Sequence, residues 1–226
     1  NFPVIAISNE IKKSPNNMES FGRYRSIKDS KAGFLSVEMN DGTEISVTTT
    51  KRTAIAKFKF SSNDKGSIII GSGINSTKVK DAFVTNTSLT SCEGYATGGD
   101  FCGTDTNYPV FFYVEFDRPS LNHKVWKKNK ISKNKSIDGP NSGTIFTFDT
   151  SKNKEVNYRI SISFVSVENA KINMKSEDVG FNFQSYLSEN QASWNEKLSA
   201  ILISSDDKNS LTQFYSNFYR LSLIHI

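Results

Sequence analysis

Three stretches toward the end of the 226-residue chain decide its fold: FVSVENAK (164–171), WNEKL (194–198) and FYSNFY (214–219). Before Phe164, polar and apolar residues alternate in many short segments, as they do in strands. After Phe164 the apolar residues recur at the spacing of a helix face, in two groups: Trp194, Leu198, Ile201 and Leu202, then Leu211, Phe214, Tyr215, Phe218 and Tyr219. The pattern therefore predicts a strand region followed by amphipathic helices.

The strand region begins with a hairpin pattern. GFLSVEM (33–39) and TEISVTTT (43–50) flank Asn40-Asp41-Gly42, which is a hairpin turn signal. Six further candidate strands follow, at 54–60, 67–70, 82–87, 110–115, 143–148 and 156–164. Short strands at this spacing are typical of a sandwich. The predicted fold class is mainly β, an antiparallel β-sandwich followed by helices.

The composition indicates a folded chain with one concentrated basic stretch. A chain with 36% hydrophobic and 12% aromatic residues has enough apolar side chains to fill a core. Much of the net charge of +5 lies between Lys124 and Lys135, around Trp126. Such a stretch could contact phosphates or an anionic polymer, or it could be a solvated hairpin or loop. We favour the solvated hairpin or loop and expect no nucleic-acid partner.

The sequence contains no apolar run of about 20 residues, which predicts no membrane span.

The two cysteines, Cys92 and Cys102, flank a glycine-rich stretch. The two histidines, His123 and His225, are distant from them in sequence, so a four-ligand zinc site is not expected. We expect a Cys92–Cys102 disulfide, which would place the protein in an oxidising, secreted or otherwise extracytoplasmic compartment. Two reduced, buried thiols are the alternative.

Read in order, these stretches and several earlier ones resemble glycoside hydrolase family 92, the calcium-dependent exo-α-mannosidases. The series from 164 to 219 resembles the junction between the two domains of that family. Further segments resemble its N-terminal sandwich: FPV (2–4), FGRY (21–24), GFLSV (33–37), TTKRT (49–53), FCGT (101–104) and VFFYVEFDRP (110–119).

The resemblance implies a domain organisation. It implies an N-terminal β-sandwich over residues 1–164, a helical connector over 165–205, and the first helix of an (α/α)6 catalytic barrel over 206–220. The rest of the barrel is absent, so we expect a fragment of a longer enzyme. Residues 221–226 do not match the family and resemble the translation of a sequencing adapter.

The resemblance also implies a chemistry. Family 92 enzymes are inverting glycosidases, which use one carboxyl group as the acid and one carboxylate to activate water. No residue here matches the family's acid, base or calcium ligands, so we assign no catalytic or metal residue and expect the Ca²⁺ ligands in the missing domain. Four carboxylates, Glu115, Asp117, Asp149 and Glu168, are interpreted as surface or structural groups. We expect Glu168 and Asn169 to cap or orient the connecting helix.

One residue is a candidate for substrate binding. The predicted loop from Cys92 to Thr104 contains Phe101, which corresponds to an aromatic position that in the family faces the mannose subsite. Phe101 could equally be a core residue at the sandwich edge. The expected partners are mannose-containing glycans and the missing catalytic barrel of the same chain.

Two other functions remain open. A non-catalytic carbohydrate-binding β-sandwich is the main alternative to the enzyme, and a basic adhesin or polymer-binding surface protein is the third. The apolar faces of the Trp194 and Phe214 helices favour the enzyme, because they require a partner that buries them.

Overall fold

Two antiparallel sheets and three helices make up the described part of the chain in the computed structural model, which comprises residues 2–16, 18, 23–62, 64–74, 78–100, 103–104, 106–177 and 180–224. The strands are β1 (Val4–Ile7), β2 (Tyr24–Lys31), β3 (Phe34–Met39), β4 (Glu44–Thr49), β5 (Thr53–Lys59), β6 (Lys65–Ser72), β7 (Val79–Asn86), β8 (Ser91–Gly99), β9 (Asn107–Phe116), β10 (Asn122–Lys127), β11 (Lys130–Ser132), β12 (Ser136–Asp138), β13 (Ser142–Asp149) and β14 (Glu155–Ser163). The helices are α1 (Val167–Ser176), α2 (Phe183–Leu198) and α3 (Lys208–Ile224).

The strands form a sandwich of unequal sheets. The small sheet has the order β1-β6-β13-β10-β11, and the large sheet has the order β12-β7-β8-β9-β14-β5-β4-β3-β2. Neighbouring strands pair antiparallel, for example β9 with β14, where Phe112 lies opposite Ile162. This arrangement confirms the predicted fold class of an antiparallel β-sandwich followed by helices.

The main core lies between the two sheets. Alternate residues of β9, namely Phe112, Val114 and Phe116, face the small sheet and are almost fully buried. Across the interface the ring of Phe116 lies 4.8 Å from that of Phe146 and 5.1 Å from that of Phe148. The two-residue period of a strand explains why one face of each sheet is apolar.

A second core covers the outer face of the small sheet. Trp126 of β10 and Ile145 of β13 pack there with Ile11 and Met18, which come from the segment after β1. Lys124 to Lys135 is therefore a hairpin, as predicted, but its tryptophan belongs to a core and is fully buried. Alternation along β10 puts Trp126 on the outer face of the small sheet, opposite to its neighbour Lys127, and the segment after β1 covers it there.

The glycine-rich stretch after Cys92 is a strand and not a loop. β8 runs from Ser91 to Gly99 between β7 and β9. A Cβ atom at Gly94 would lie 2.0 Å from the carbonyl oxygen of Phe83 on β7, so the neighbouring backbone leaves space only for glycine. The prediction of a loop from Cys92 to Thr104 is thus wrong for residues 92–99, which belong to β8. Glycine occurs there because the neighbouring backbone lies too close for a side chain.

Helix α1 is capped by Ser166, whereas Glu168 and Asn169 were expected to cap or orient it. The Ser166 hydroxyl accepts a hydrogen bond from the backbone N–H of Asn169, at 3.0 Å. Glu168 lies in the first turn, 3.6 Å from Lys171. Ser166 occupies the N-cap position, so neither Glu168 nor Asn169 caps the helix through its side chain.

Helices α1 and α2 cover part of the outer face of the large sheet. Ala170 and Met174 of α1 and Tyr186 of α2 are buried there. Helix α2 ends at Leu198, so Ile201 and Leu202 lie beyond it and are exposed. The predicted helical face from Trp194 is therefore correct only as far as Leu198.

Helix α3 begins after Asp207, whose side chain caps it. The Asp207 carboxylate accepts hydrogen bonds from the backbone N–H groups of Asn209 and Ser210, at 3.0 and 3.2 Å. The Ser210 hydroxyl is the largest of the causes that lower the pKa of Asp207. The ring of Tyr219 on α3 lies 4.7 Å from that of Trp194, which joins α3 to α2. Among the described residues, no helix is both long and apolar enough to span a membrane.

Candidate functional site

The candidate sugar-facing segment is the connection between β8 and β9. Phe101 and Cys102 lie outside the described residues, so the substrate-binding role of Phe101 stays a prediction. The base of the connection is well defined: the Asp100 N–H donates to the Thr106 carbonyl oxygen at 3.2 Å. A Cβ atom at Gly99 would lie 1.9 Å from that oxygen, so glycine is required for the two strands to approach.

Cys92 lies at the start of this strand pair and is fully buried. Burial, followed by the Glu93 charge, raises the pKa of the thiol well above its ordinary value. Strand geometry limits the predicted disulfide. β8 carries the chain about 23 Å from Cys92 to Gly99, and three more residues span at most about 11 Å. A bridge needs Cα atoms within about 7 Å, so a Cys92–Cys102 disulfide, which stays a prediction, would require β8 to be broken.

Two exposed aromatic side chains lie beside the β8–β9 connection. Tyr108, the second residue of β9, is 40% exposed, and Phe164, which follows β14, is 65% exposed. Their ring centroids are 5.9 Å apart. Alternation along β9 puts Tyr108 on the same face as the core residue Phe112, at the end of the sandwich. Exposed aromatic faces of this kind can stack on the C–H groups of a sugar ring.

The four carboxylates considered from the sequence have structural partners or are exposed. Glu115 forms an ion pair with Arg159 at 2.7 Å. The side-chain amide of Asn157 donates to Asp117, and Asp149 accepts from Ser151. Glu168 is 75% exposed on its side chain. Glu115 and Asp117 lie at the end of β9, Asp149 ends β13 and Glu168 lies in α1, so these positions fit their interpretation as surface or structural groups.

A polar network that sequence reasoning missed fixes α1 on the large sheet. Lys171 of α1 lies 3.0 Å from Glu93 and stands over the ring of Tyr113 at 5.4 Å. The Tyr113 hydroxyl donates to Glu115 at 2.8 Å. Burial, and then this bond to Glu115, raises the pKa of Tyr113, while the bond to Glu93 raises that of Lys171. The sequence held one signal for this network: alternation along β9 places Tyr113 and Glu115 on the outer face of the sheet.

A second set of contacts fixes the turn between β4 and β5. Glu177, just after α1, accepts hydrogen bonds from the Thr50 hydroxyl at 2.5 Å and from the Arg52 N–H at 3.0 Å. Asn190 of α2 donates to the Thr49 hydroxyl at 3.4 Å, and it also donates to the Gly33 carbonyl oxygen, in the turn between β2 and β3, at 3.0 Å. The TTKRT segment is therefore a docking point for the helices.

Calcium was implied by the resemblance. Among the residues that the structure describes, no group of three or more histidine, cysteine or acidic side chains could hold a metal ion. These residues do not fit a calcium site, and no step of a reaction can be assigned to calcium on them.

Comparison with known protein families explains this arrangement. Residues 1–163 match the profile of the glycosyl hydrolase family 92 N-terminal domain, and residues 169–225 match that of the family 92 catalytic domain. The two matches define the class: the N-terminal domain and part of the catalytic domain of a family of glycosyl hydrolases. The chain belongs to glycosyl hydrolase family 92. No curated protein sequence matches it.

Solved structures of the family share the fold. The family 92 glycosyl hydrolase ccman5 is 22% identical, with a TM-score of 0.83 over 97% of this chain and 31% of that chain. The inverting mannosidase BT2199 of Bacteroides thetaiotaomicron is 20% identical, with a TM-score of 0.84 over 97% of this chain and 29% of that chain. The α-mannosidase BT3965 of the same organism is 22% identical, with a TM-score of 0.82 over 97% and 31%. This chain thus spans about a third of the length of these structures.

Proposed function

We propose that the chain is part of a calcium-dependent, inverting exo-α-mannosidase that releases mannose from glycans. In this proposal the β-sandwich completes the sugar pocket and docks the catalytic barrel. The observation that carries it is the continuity of the two family matches, because residues 169–225 belong to the catalytic domain profile. A carbohydrate-binding sandwich would not need these helices. The setting we propose is secreted or otherwise extracytoplasmic.

In this proposal the chain shapes the sugar pocket and excludes water from it, and it does not transfer protons. None of the four carboxylates considered above is paired with another carboxylate, so the acid and the base are proposed to lie in the remainder of the catalytic domain, with the calcium ligands. Tyr108 and Phe164, next to the segment that holds Phe101, offer apolar surface beside a bound mannose. Such a surface contacts the sugar and displaces water from it.

The direct test is hydrolysis by the protein encoded by the complete gene. We expect release of mannose from α-mannosides, loss of activity with a chelator, and recovery with Ca²⁺. Proton NMR during the first turnovers should show β-mannose as the initial product, because inversion reverses the anomeric configuration. The 226-residue chain alone should be inactive. Retention on immobilised mannan without any hydrolysis by the complete protein would instead identify a binding module.

Two substitutions in the complete protein separate a pocket role from a core role. Phe164 is two-thirds exposed, so Phe164→Ala should cost only about 0.5–1 kcal/mol of stability, while kcat/KM falls about tenfold or more. Phe112 is fully buried, so Phe112→Ala should cost about 3–5 kcal/mol and leave kcat/KM of the folded enzyme unchanged.

The same assay applies to Phe101. Phe101→Ala should lower kcat/KM more than stability if the residue faces sugar. A large fall in melting temperature with unchanged catalytic efficiency would show that Phe101 is only a core residue.

A further inference from the structure

A cleft of about 510 Å³ opens at the edge of the sandwich where both sheets end in three-residue strands, β11 and β12. Its lining includes Val125 of β10, Ser132 of β11 and Ile137 of β12. The volume is within the range of small-molecule sites, about 300–1,000 Å³. Neither the family assignment nor the proposed mannosidase activity uses this cleft.

The walls of the cleft are apolar because they belong to the inner faces of the sheets. Val125 is fully buried and lies opposite Thr144 of β13. The Thr144 hydroxyl donates to the side-chain oxygen of Asn86 on the large sheet at 2.7 Å, which shows that this face of β10 points between the sheets. Ile137 closes the cleft from the large-sheet side.

The rim of the cleft is cationic. Lys127, Lys128 and Lys130 line it, and no carboxylate of the described part of the chain does. None of the three has an ion pair among the described residues, whereas Lys124 on the same strand pairs with Glu10 at 3.2 Å. The amino groups on the rim are therefore available to an anion.

The fold holds these lysines in place. Lys128 has a φ of 49° at the hairpin turn, and its N–H donates to the Asn141 carbonyl oxygen at 3.0 Å. The Ser14 hydroxyl donates to the Lys128 carbonyl oxygen. A Cβ atom at Gly139 would lie 2.6 Å from the Lys127 amino group, so the glycine leaves the space that this side chain occupies. The backbone of the rim is fixed by contacts outside its own hairpin.

We propose that this cleft binds a small amphiphilic anion of the fatty-carboxylate type. The apolar walls accommodate an alkyl chain, whose burial is favourable in proportion to its area. The lysine rim provides charge-assisted hydrogen bonds for a carboxylate. An anionic polymer would use the lysines but would have no need of the apolar walls.

Calorimetric titration of the 226-residue chain with decanoate, below its micelle-forming concentration, tests the proposal. We expect saturable binding at one site, and no binding of acetate or of decanol. Lys127→Gln with Lys130→Gln should weaken decanoate binding at least tenfold, as should Ile137→Ser. Lys152→Gln, which removes a lysine from the turn between β13 and β14, should leave it unchanged. Thermal melts followed by circular dichroism confirm that each variant is folded.

Several outcomes would overturn the proposal. Absence of decanoate binding would do so, as would equal binding by the wild type and the folded lysine double variant. Binding of polyphosphate that survives Ile137→Ser, without binding of decanoate, would show a purely electrostatic surface.

Discussion

Removal of the Glu115 carboxylate should destabilise the protein, because it leaves a buried charge partly uncompensated. The Arg159 guanidinium is 6% exposed and lies 2.7 Å from Glu115. Glu115 also accepts a hydrogen bond from Tyr113. Breaking a fully buried ion pair costs about 3–5 kcal/mol. Because the Glu115 side chain is 33% exposed, and because Arg159 keeps contacts with Gly180 and the ring of Phe181, we expect Glu115→Ala to cost about 2–3 kcal/mol.

Urea unfolding followed by circular dichroism measures this change, with a matched control two residues further along the chain, directly after β9. Asp117 is an exposed carboxylate with one side-chain hydrogen bond, to Asn157, so Asp117→Ala should cost less than about 1 kcal/mol. At about 2–4 °C per kcal/mol for a chain of this size, the melting temperature of Glu115→Ala should fall by about 4–12 °C. Costs for the two variants that agree within about 0.5 kcal/mol would refute the reasoning, because they would show that the Glu115–Arg159 pair behaves as a surface contact.

Three further predictions concern pH, thiols and association. Burial, and then the Lys135 charge, lowers the pKa of His123, so its contribution to stability is present above the ordinary pKa of about 6.5 and is lost as pH falls. Urea unfolding should therefore give a lower free energy of unfolding at pH 5.5 than at pH 7.5, and His123→Asn should reduce that difference. Thiol titration in denaturant without reductant should find two thiols if β8 is intact, whereas none would mean that Cys92 and Cys102 are bridged and β8 is broken. The whole chain should self-associate through the apolar stripe of α3, formed by Leu211, Phe214, Tyr215 and Phe218. Light scattering should therefore show that a version ending at Ser205 is more monomeric than the whole chain. An equal degree of association in the two would exclude the stripe as the cause.

Much of the fold could be predicted from local pattern. The β3–β4 hairpin was evident from alternation around the Asn40-Asp41-Gly42 turn, and Gly42 does adopt a positive φ of 81°. The change of period after Phe164 predicted α2 and α3, since an amphipathic face is a local property, whereas α1 was expected only as a connecting helix. The family resemblance, confirmed by the two domain profiles, rested on the same stretches.

The strands that were missed depend on contacts distant in sequence. Nothing local shows that Gly94 lies against the carbonyl of Phe83, so β8 resembled a loop. Trp126 resembled a solvated residue because its core partners Ile11 and Met18 come from the other end of the chain. The same limit applies to the site. Tyr108 and Phe164 are 56 positions apart in the sequence, and only the β9–β14 pairing brings them together.

The docking of α1 and α2 on the large sheet affects how this protein could be recombined with its relatives. The two family profiles meet between residues 163 and 169, which suggests a boundary for exchanging sandwiches between enzymes. A cut there would separate Arg52 from Glu177 and Gly33 from Asn190, and it would strip the cover from one sheet face. The unit that can be transplanted intact therefore extends to the end of α2 at Leu198, so the modular boundary in the folded protein lies about 30 residues beyond the boundary in the sequence.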